Sequence, residues 1–243
     1  MKFSGFLFRY RRWVLIAIFV LAFWAPFDRL NGAHPASTWL WLAGALTSNG
    51  LLSMAGSTHL VIGVATFLAW LAALVRTWAA AYLGSQVVRD PELHTERVVA
   101  DGPYRYVRNP LYLGTWLYTM ALAILMPPGG ALFAVAAVAA ILVALVRAEE
   151  GRLKSESGEA YTAYLSAVPR FLPSLTPRVP AGGARPHWMQ GILGEIYIWG
   201  AVVTYVAFAD RYNVTILIQG VLISLGISIV LRAFLRPTTA DAI

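Results

Sequence analysis

The chain predicts an all-α, polytopic helical membrane protein with about six transmembrane helices, one further re-entrant or interfacial segment, and a small-molecule site on its cytoplasmic side. Three observations lead there. Hydrophobic residues make up 58% of the 243 and charged residues only 13%, against about 25% charged in an ordinary soluble domain. Such a chain cannot cover itself with a water-facing surface. The apolar residues also gather into runs close to the bilayer-crossing length, about 20 residues with a range of about 17–25. Finally, the basic residues fall between these runs with a strong bias to one side, which sets orientation.

The first run, over about 13–27, follows Lys2, Arg9, Arg11 and Arg12 and in outline resembles a secretory signal. No small-residue cleavage site follows promptly; Pro26-Phe27-Asp28-Arg29 comes instead, so an uncleaved first span is expected. The run at 39–56 is interrupted by Gly44, Thr47, Ser48, Asn49, Gly50 and Ser53. It is the re-entrant or interfacial segment, and its small residues suit close helix packing better than a cavity lining. Further runs lie at 59–83, 111–126, 130–148, 192–209 and 213–234. With 39–56 not crossing and the N-terminus cytoplasmic, every lysine and arginine except Arg29, Arg76 and Arg211 faces the cytoplasm. Both termini are then cytoplasmic, and the net charge of +7 belongs to that membrane face rather than to a nucleic-acid partner.

The runs at 111–126 and 130–148 are joined by Pro127-Pro128-Gly129-Gly130, a helix-breaking turn. They form a hairpin whose open end is cytoplasmic. Gly102–Gly114, reading GPYRYVRNPLYLG, enters one leg and Glu149-Glu150 leaves the other, so connectivity alone brings the two together. Gly151–Leu165 reads as an interfacial helix, and the proline-rich stretch after it as connector. The organisation is therefore 1–83 membrane helices, 84–175 a core of loops plus hairpin, 176–191 a Pro/Gly-rich linker and 192–243 a C-terminal helical hairpin.

The chain has no cysteine, which excludes disulfides and thiolate sites, and its four histidines are scattered without metal-ligand spacing. No metal is expected. Chemistry concentrates in the 102–114 loop. Tyr104, Tyr106 and Tyr112 offer faces to a cation or an aromatic base. Arg105 and Arg108 can fork onto a carboxylate or phosphate. Glu149 or Glu150 can hold an ammonium or sugar hydroxyls. Singly, each of these is an ordinary interfacial residue; together in one loop opposite a glutamate pair they suit a ligand with a base, a sugar, an amino acid and a positive centre. Glu150 with Lys154, and Glu149 with Arg152, are also spaced for plain helix ion pairs. Arg76, about eight residues inside its span, is either a contact to an acceptor headgroup or a side chain snorkelling to the interface. No GxGxxG follows a predicted strand, so a soluble dinucleotide-fold enzyme is not expected.

GPYRYVRNPLYLG, followed by RAEEGRL, GEAYTAY and VPRFLP, resembles the isoprenylcysteine carboxyl methyltransferase and phospholipid methyltransferase superfamily of integral membrane enzymes. The resemblance covers about Leu83 to Leu175. It implies S-adenosyl-L-methionine as donor, S-adenosyl-L-homocysteine as product, and a lipophilic small-molecule or lipid acceptor arriving from the membrane. Carried over by position, the cofactor-binding residues are Glu96, Arg97, Val98 and Val99, then Gly102, Tyr104, Arg108, Asn109, Pro110, Leu111, Tyr112, Glu149 and Glu150. Arg108 and Asn109 are the candidate catalytic pair and Arg76 the candidate substrate contact. Three positions depart from the family pattern: Glu96 and Asn109 stand where histidines are usual, and Leu145 where the prenylcysteine enzymes carry an arginine. Cofactor binding tolerates these changes better than a prenylcysteine acceptor does. The alternative is a non-enzymatic lipid-binding or assembly protein of the membrane that retains the cofactor motif.

Overall fold

A computed structural model of the chain describes residues 2–25, 37–83, 101–211 and 214–234, and every regular element among them is helical. The helices are α1 (Lys2–Trp24), α2 (Thr38–Ser48), α3 (Met54–Leu83), α4 (Pro110–Ala123), α5 (Pro128–Ala167), α6 (Trp188–Gly194), α7 (Ile196–Arg211) and α8 (Val214–Phe234), with a 3₁₀ turn at Gly102–Arg105.

The expected 39–56 segment is two pieces. Its first part is α2, whose 11 residues reach about 16 Å, half the thickness of a hydrocarbon core. The chain then turns at Asn49-Gly50, and Met54 already belongs to α3. The small polar residues that interrupt the run are the cause: Asn49 caps α2 by donating its side-chain amide to the Ala45 carbonyl. Other boundaries also differ from the expectation. α4 stops at Ala123, because residues 124–127 make the turn. α5 runs on past Glu150 into the segment expected to be an interfacial helix, kinks at Gly158 (φ 56, ψ −129), and continues beyond the kink as a second helical piece to Ala167. The run at 192–209 is bent rather than straight, since α6 and α7 meet at 64° around Glu195. Among the described residues, α3 and α5 are each long and apolar enough to cross a membrane, and the α6–α7 pair is a third candidate.

α4 lies at the centre. On one side Ala121 and Ile124 join Ile62, Ala65, Ala69 and Ala73 of α3 and Ile198, Val202, Tyr205 and Phe208 of α7 in one core. The Tyr205 hydroxyl donates to the Ala121 carbonyl, so this buried polar group is satisfied. On the other side Ala123 and Met126 join Ile18 and Ala22 of α1 and Ala131, Ala134, Val138 and Leu142 of α5. The α3–α4 seam is built from small residues, which lets the two backbones approach and gain dispersion contacts that lipid-facing apolar surface alone would not supply. Gly114 is the tightest point: a Cβ there would overlap the Arg76 side chain and come within 3.3 Å of the Ala72 carbonyl.

Replacing Gly114 by Leu is therefore expected to destabilise the protein by about 1–3 kcal/mol, the usual cost of overpacking. Gly63→Leu, where a Cβ meets nothing within 4 Å, should stay within about 0.5 kcal/mol. Thermal unfolding of the two variants in detergent measures the difference.

Candidate functional site

The loop that enters α4 is shaped by its own residues. Gly102 has φ 55, and a Cβ there would collide with the Tyr82 ring, so only glycine fits. Pro103 opens the 3₁₀ turn, with the Tyr104 amide bonded to the Asp101 carbonyl at 3.1 Å and the Tyr106 amide to the Pro103 carbonyl at 3.0 Å. Pro110 begins α4, where its missing N–H costs no helix bond. These constraints point Tyr104 inward and bring Arg108, Asn109 and Tyr112 to Glu149 and Glu150 in the body of α5.

Glu150 is the anchor there. It is buried, and Arg108 Nη1 donates to its Oε1 at 3.0 Å. Arg170 donates to its Oε2 through Nη2 at 2.7 Å and Nε at 3.0 Å. The Asn109 side-chain amide stands 3.4 Å from Oε1 and 3.2 Å from the Arg170 carbonyl. Arg108 also donates from Nε to the Val168 carbonyl at 2.7 Å. A buried carboxylate is tolerated only with such partners. Glu150 thus pairs with Arg108 and Arg170, from other segments, and not with Lys154 one turn on. Arg152 for its part lies 3.9 Å from Glu156.

Glu149, one residue back on α5, faces a different way, because successive helix residues point about 100° apart. Its Oε2 accepts the Tyr112 hydroxyl at 3.0 Å. It is half-buried and lies near Tyr104 and near Arg11 of α1. Burial, and next the charge of Glu149, push the Tyr104 hydroxyl well above the usual tyrosine range. Tyr104 therefore stays protonated at physiological pH, and its hydroxyl remains a donor. Leu111 sits in the same first turn of α4. The expected strip Glu96, Arg97, Val98 and Val99 lies outside the described residues.

The proline-rich stretch 169–187 does more than connect. It runs antiparallel to the 101–108 loop and bonds to it along its length. The Arg108 amide donates to the Pro169 carbonyl at 2.9 Å, the Ser174 amide to Tyr106 at 3.0 Å and the Arg178 amide to Arg105 at 2.9 Å. Arg105, expected to face an anion, donates from Nε to the Val179 carbonyl at 2.9 Å. Buried Asp101 accepts the Gly182 and Ala184 amides at 2.7 and 2.9 Å. The Tyr164 hydroxyl closes the back of the loop on the Tyr104 carbonyl at 2.8 Å. Tyr106 turns away and packs against Trp78, 5.8 Å between ring centroids.

Arg76 is part-buried, its side chain 13% exposed, and its charge is met inside the protein. It forks onto Glu195 through Nε at 2.7 Å and Nη2 at 2.9 Å, while Nη1 donates to Thr115 Oγ1 at 2.7 Å and to the Leu111 carbonyl at 3.1 Å. Glu195 and Arg170 carry geometry that the sequence reading left without a role. For Glu195 a signal exists: it is a lone acid at the edge of an apolar run, matching a lone arginine in another. An open apolar groove lined by Leu42, Leu46, Leu60, Val64 and Leu68 lies toward the N-terminal end of α3, away from this cluster. No group of His, Asp and Glu with metal-binding geometry occurs among the described residues.

Residues 58–157 match the phospholipid methyltransferase family model, within the integral membrane methyltransferase superfamily that the motif series resembles. No curated protein and no solved structure matches the chain.

Each bond from Asp101 to the strap is charge-assisted and so contributes about 1.5–3 kcal/mol. Asp101→Ala is expected to raise amide exchange at Gly182 and Ala184 by about tenfold or more, while exchange in the α3–α4 core stays unchanged. Hydrogen-exchange mass spectrometry reads both.

Proposed function

We propose that this chain is an integral membrane methyltransferase that uses S-adenosyl-L-methionine to methylate a small lipophilic or lipid acceptor. The observation that carries the reading is the division of the glutamate pair: Glu150 is consumed by Arg108 and Arg170, while Glu149 is left beside Tyr104 and Tyr112, within residues that match a methyltransferase family. The donor carries a sulfonium, an ammonium, ribose hydroxyls and an adenine. A half-buried carboxylate flanked by two tyrosines fits the first three, and tyrosine faces fit the last. In this reading Glu149, Tyr104 and Tyr112 hold the donor, with Glu96–Val99, Gly102 and the Asn109–Leu111 turn completing its surroundings.

Bound there, the donor supplies an activated methyl group; transfer forms a bond from that carbon to the acceptor as the carbon–sulfur bond breaks, leaving a neutral thioether. The protein's contribution is position, which supplies up to about 7–11 kcal/mol of a barrier in well-oriented cases. Arg108 and Asn109 hold the Glu150 lock and the turn into α4, and Arg108 is the candidate partner for an anionic group of donor or acceptor. Of the four histidines, the two described, His59 and His187, lie outside the cluster; an anionic or soft acceptor would need no base, and an amine would lose its proton on partial desolvation. The membrane topology in this reading has α1, α3, α4, α5, the bent α6–α7 pair and α8 crossing, α2 not crossing, and the site and both termini cytoplasmic.

Calorimetric titration of detergent-purified protein with S-adenosyl-L-homocysteine tests this. Glu149→Ala and Tyr104→Ala should each weaken binding at least tenfold, about 1.4 kcal/mol, with the fold intact. Wild-type protein that binds nothing at millimolar ligand would instead favour the non-enzymatic lipid-binding or assembly protein.

A further inference from the structure

The donor chemistry makes no use of the Arg76–Glu195 pair, yet the pair withdraws an acid and most of a guanidinium from solvent. Glu195 is 1% exposed, and the pair sits where α3 meets the α6–α7 break. Such a pair is a poor stabiliser, because desolvating two ions offsets much of their attraction and apolar replacements are often neutral or better. Within a bilayer, ionisable groups are rarer still and tend to mark function.

Its connections say what it does. The fork leaves Nη1 of Arg76 aimed at the Leu111 carbonyl and Thr115 Oγ1. Those groups lie in the first turns of α4, the helix that presents Asn109 and Tyr112. The guanidinium is close enough to Tyr104 and Tyr112 to act on both electrostatically. A bare positive charge held against Leu111 and Thr115, on either side of Tyr112 in the chain, in a poorly solvated interior, would oppose a positively charged ligand beside Glu149. The bidentate carboxylate of Glu195 cancels it, and geometry holds the cancellation in place.

We propose that Glu195 is a positioning and charge-neutralising residue of the donor site: it fixes Arg76 against the first turns of α4 and removes a positive charge that would repel a sulfonium. The C-terminal helices are thereby part of the donor site although they lie outside the family-matching residues. This inference rests on the S-adenosyl-L-methionine reading and deepens it.

The test compares the sulfonium donor with its neutral thioether product, ligands that differ by one methyl group and one positive charge. Calorimetry on the full chain in detergent would titrate both into wild type, Glu195→Gln and Arg76→Gln/Glu195→Gln. Glu195→Gln should lose about fivefold or more in affinity for S-adenosyl-L-methionine beyond its loss for S-adenosyl-L-homocysteine. The double variant, with neither charge, should return that ratio to the wild-type value. Equal losses for both ligands, or no loss, overturn the proposal and leave Glu195 a packing residue. If Glu195→Gln does not fold, Glu195→Asp keeps the charge one methylene shorter and should keep the wild-type ratio; a loss of sulfonium affinity alone in that variant also overturns it. Wild type that binds neither ligand sinks the donor-site reading itself, a result distinct from either.

Discussion

A carboxylate withdrawn from water has to find enough donors to replace its hydration, and Glu150 finds them on two stretches of chain outside its own helix. Arg108 and Asn109 reach it from the loop before α4, Arg170 from the start of the strap, and α5 supplies the carboxylate itself. Removing any one partner leaves charge behind in a dry place, which is why this contact constrains so much else. It sets the angle at which the loop enters α4. It also brings Arg170 back onto the body of α5, 20 residues earlier in the chain, so that the strap starts in register with the loop it covers. Most of all, it gives the neighbouring Glu149 a fixed direction. Two adjacent acids on one helix turn cannot share an environment, and here one is locked while the other meets Tyr112.

The strap and the α6–α7 pair share a logic. Both lie after residue 157, where the family match ends, and both are held to the matching part by specific polar contacts. The prolines at 169, 173, 177, 180 and 186 cannot donate, so the bonds come from Ser174, Arg178, Gly182, Ala184 and His187 between them. The stiffness that proline gives the backbone lowers the entropy lost when the strap docks. At its far end the His187 amide satisfies the Ala81 carbonyl near the C-terminus of α3, and α6 begins at once. The central helix α4 is thus enclosed by parts of the chain from both its N-terminal and C-terminal sides.

The approach of the 102–112 loop to the glutamate pair is legible from sequence because a tight hairpin returns its two ends to one place, and only proline, glycine and apolar run length are needed to see it. The interruption of 39–56 is legible for a similar reason, since Asn49 and Gly50 are turn residues with local effects. The strap is not legible. Five prolines read as connector, and the information lies in which positions between them keep an N–H facing an acceptor far back in the chain, as Ser174 faces Tyr106 and His187 faces Ala81. The Arg76–Glu195 pairing has no periodicity either; its only trace is two opposite charges, each solitary in apolar surroundings. The continuity of α5 past Glu150 escapes notice because Arg152, Lys154 and Glu156 look like a surface segment, although such residues favour helix nearly as well as alanine.

The separation between Arg76 and Glu195, 119 residues along the chain, has a consequence for how the protein is made. At about 5–20 residues per second, the arginine emerges from the ribosome about 6–24 s before its acid exists. During that interval the third helix carries an unmatched cation toward lipid. A long guanidinium side chain can reach toward a polar interface until the late carboxylate is made. The pairing of these two charges is therefore a late event in the making of the chain.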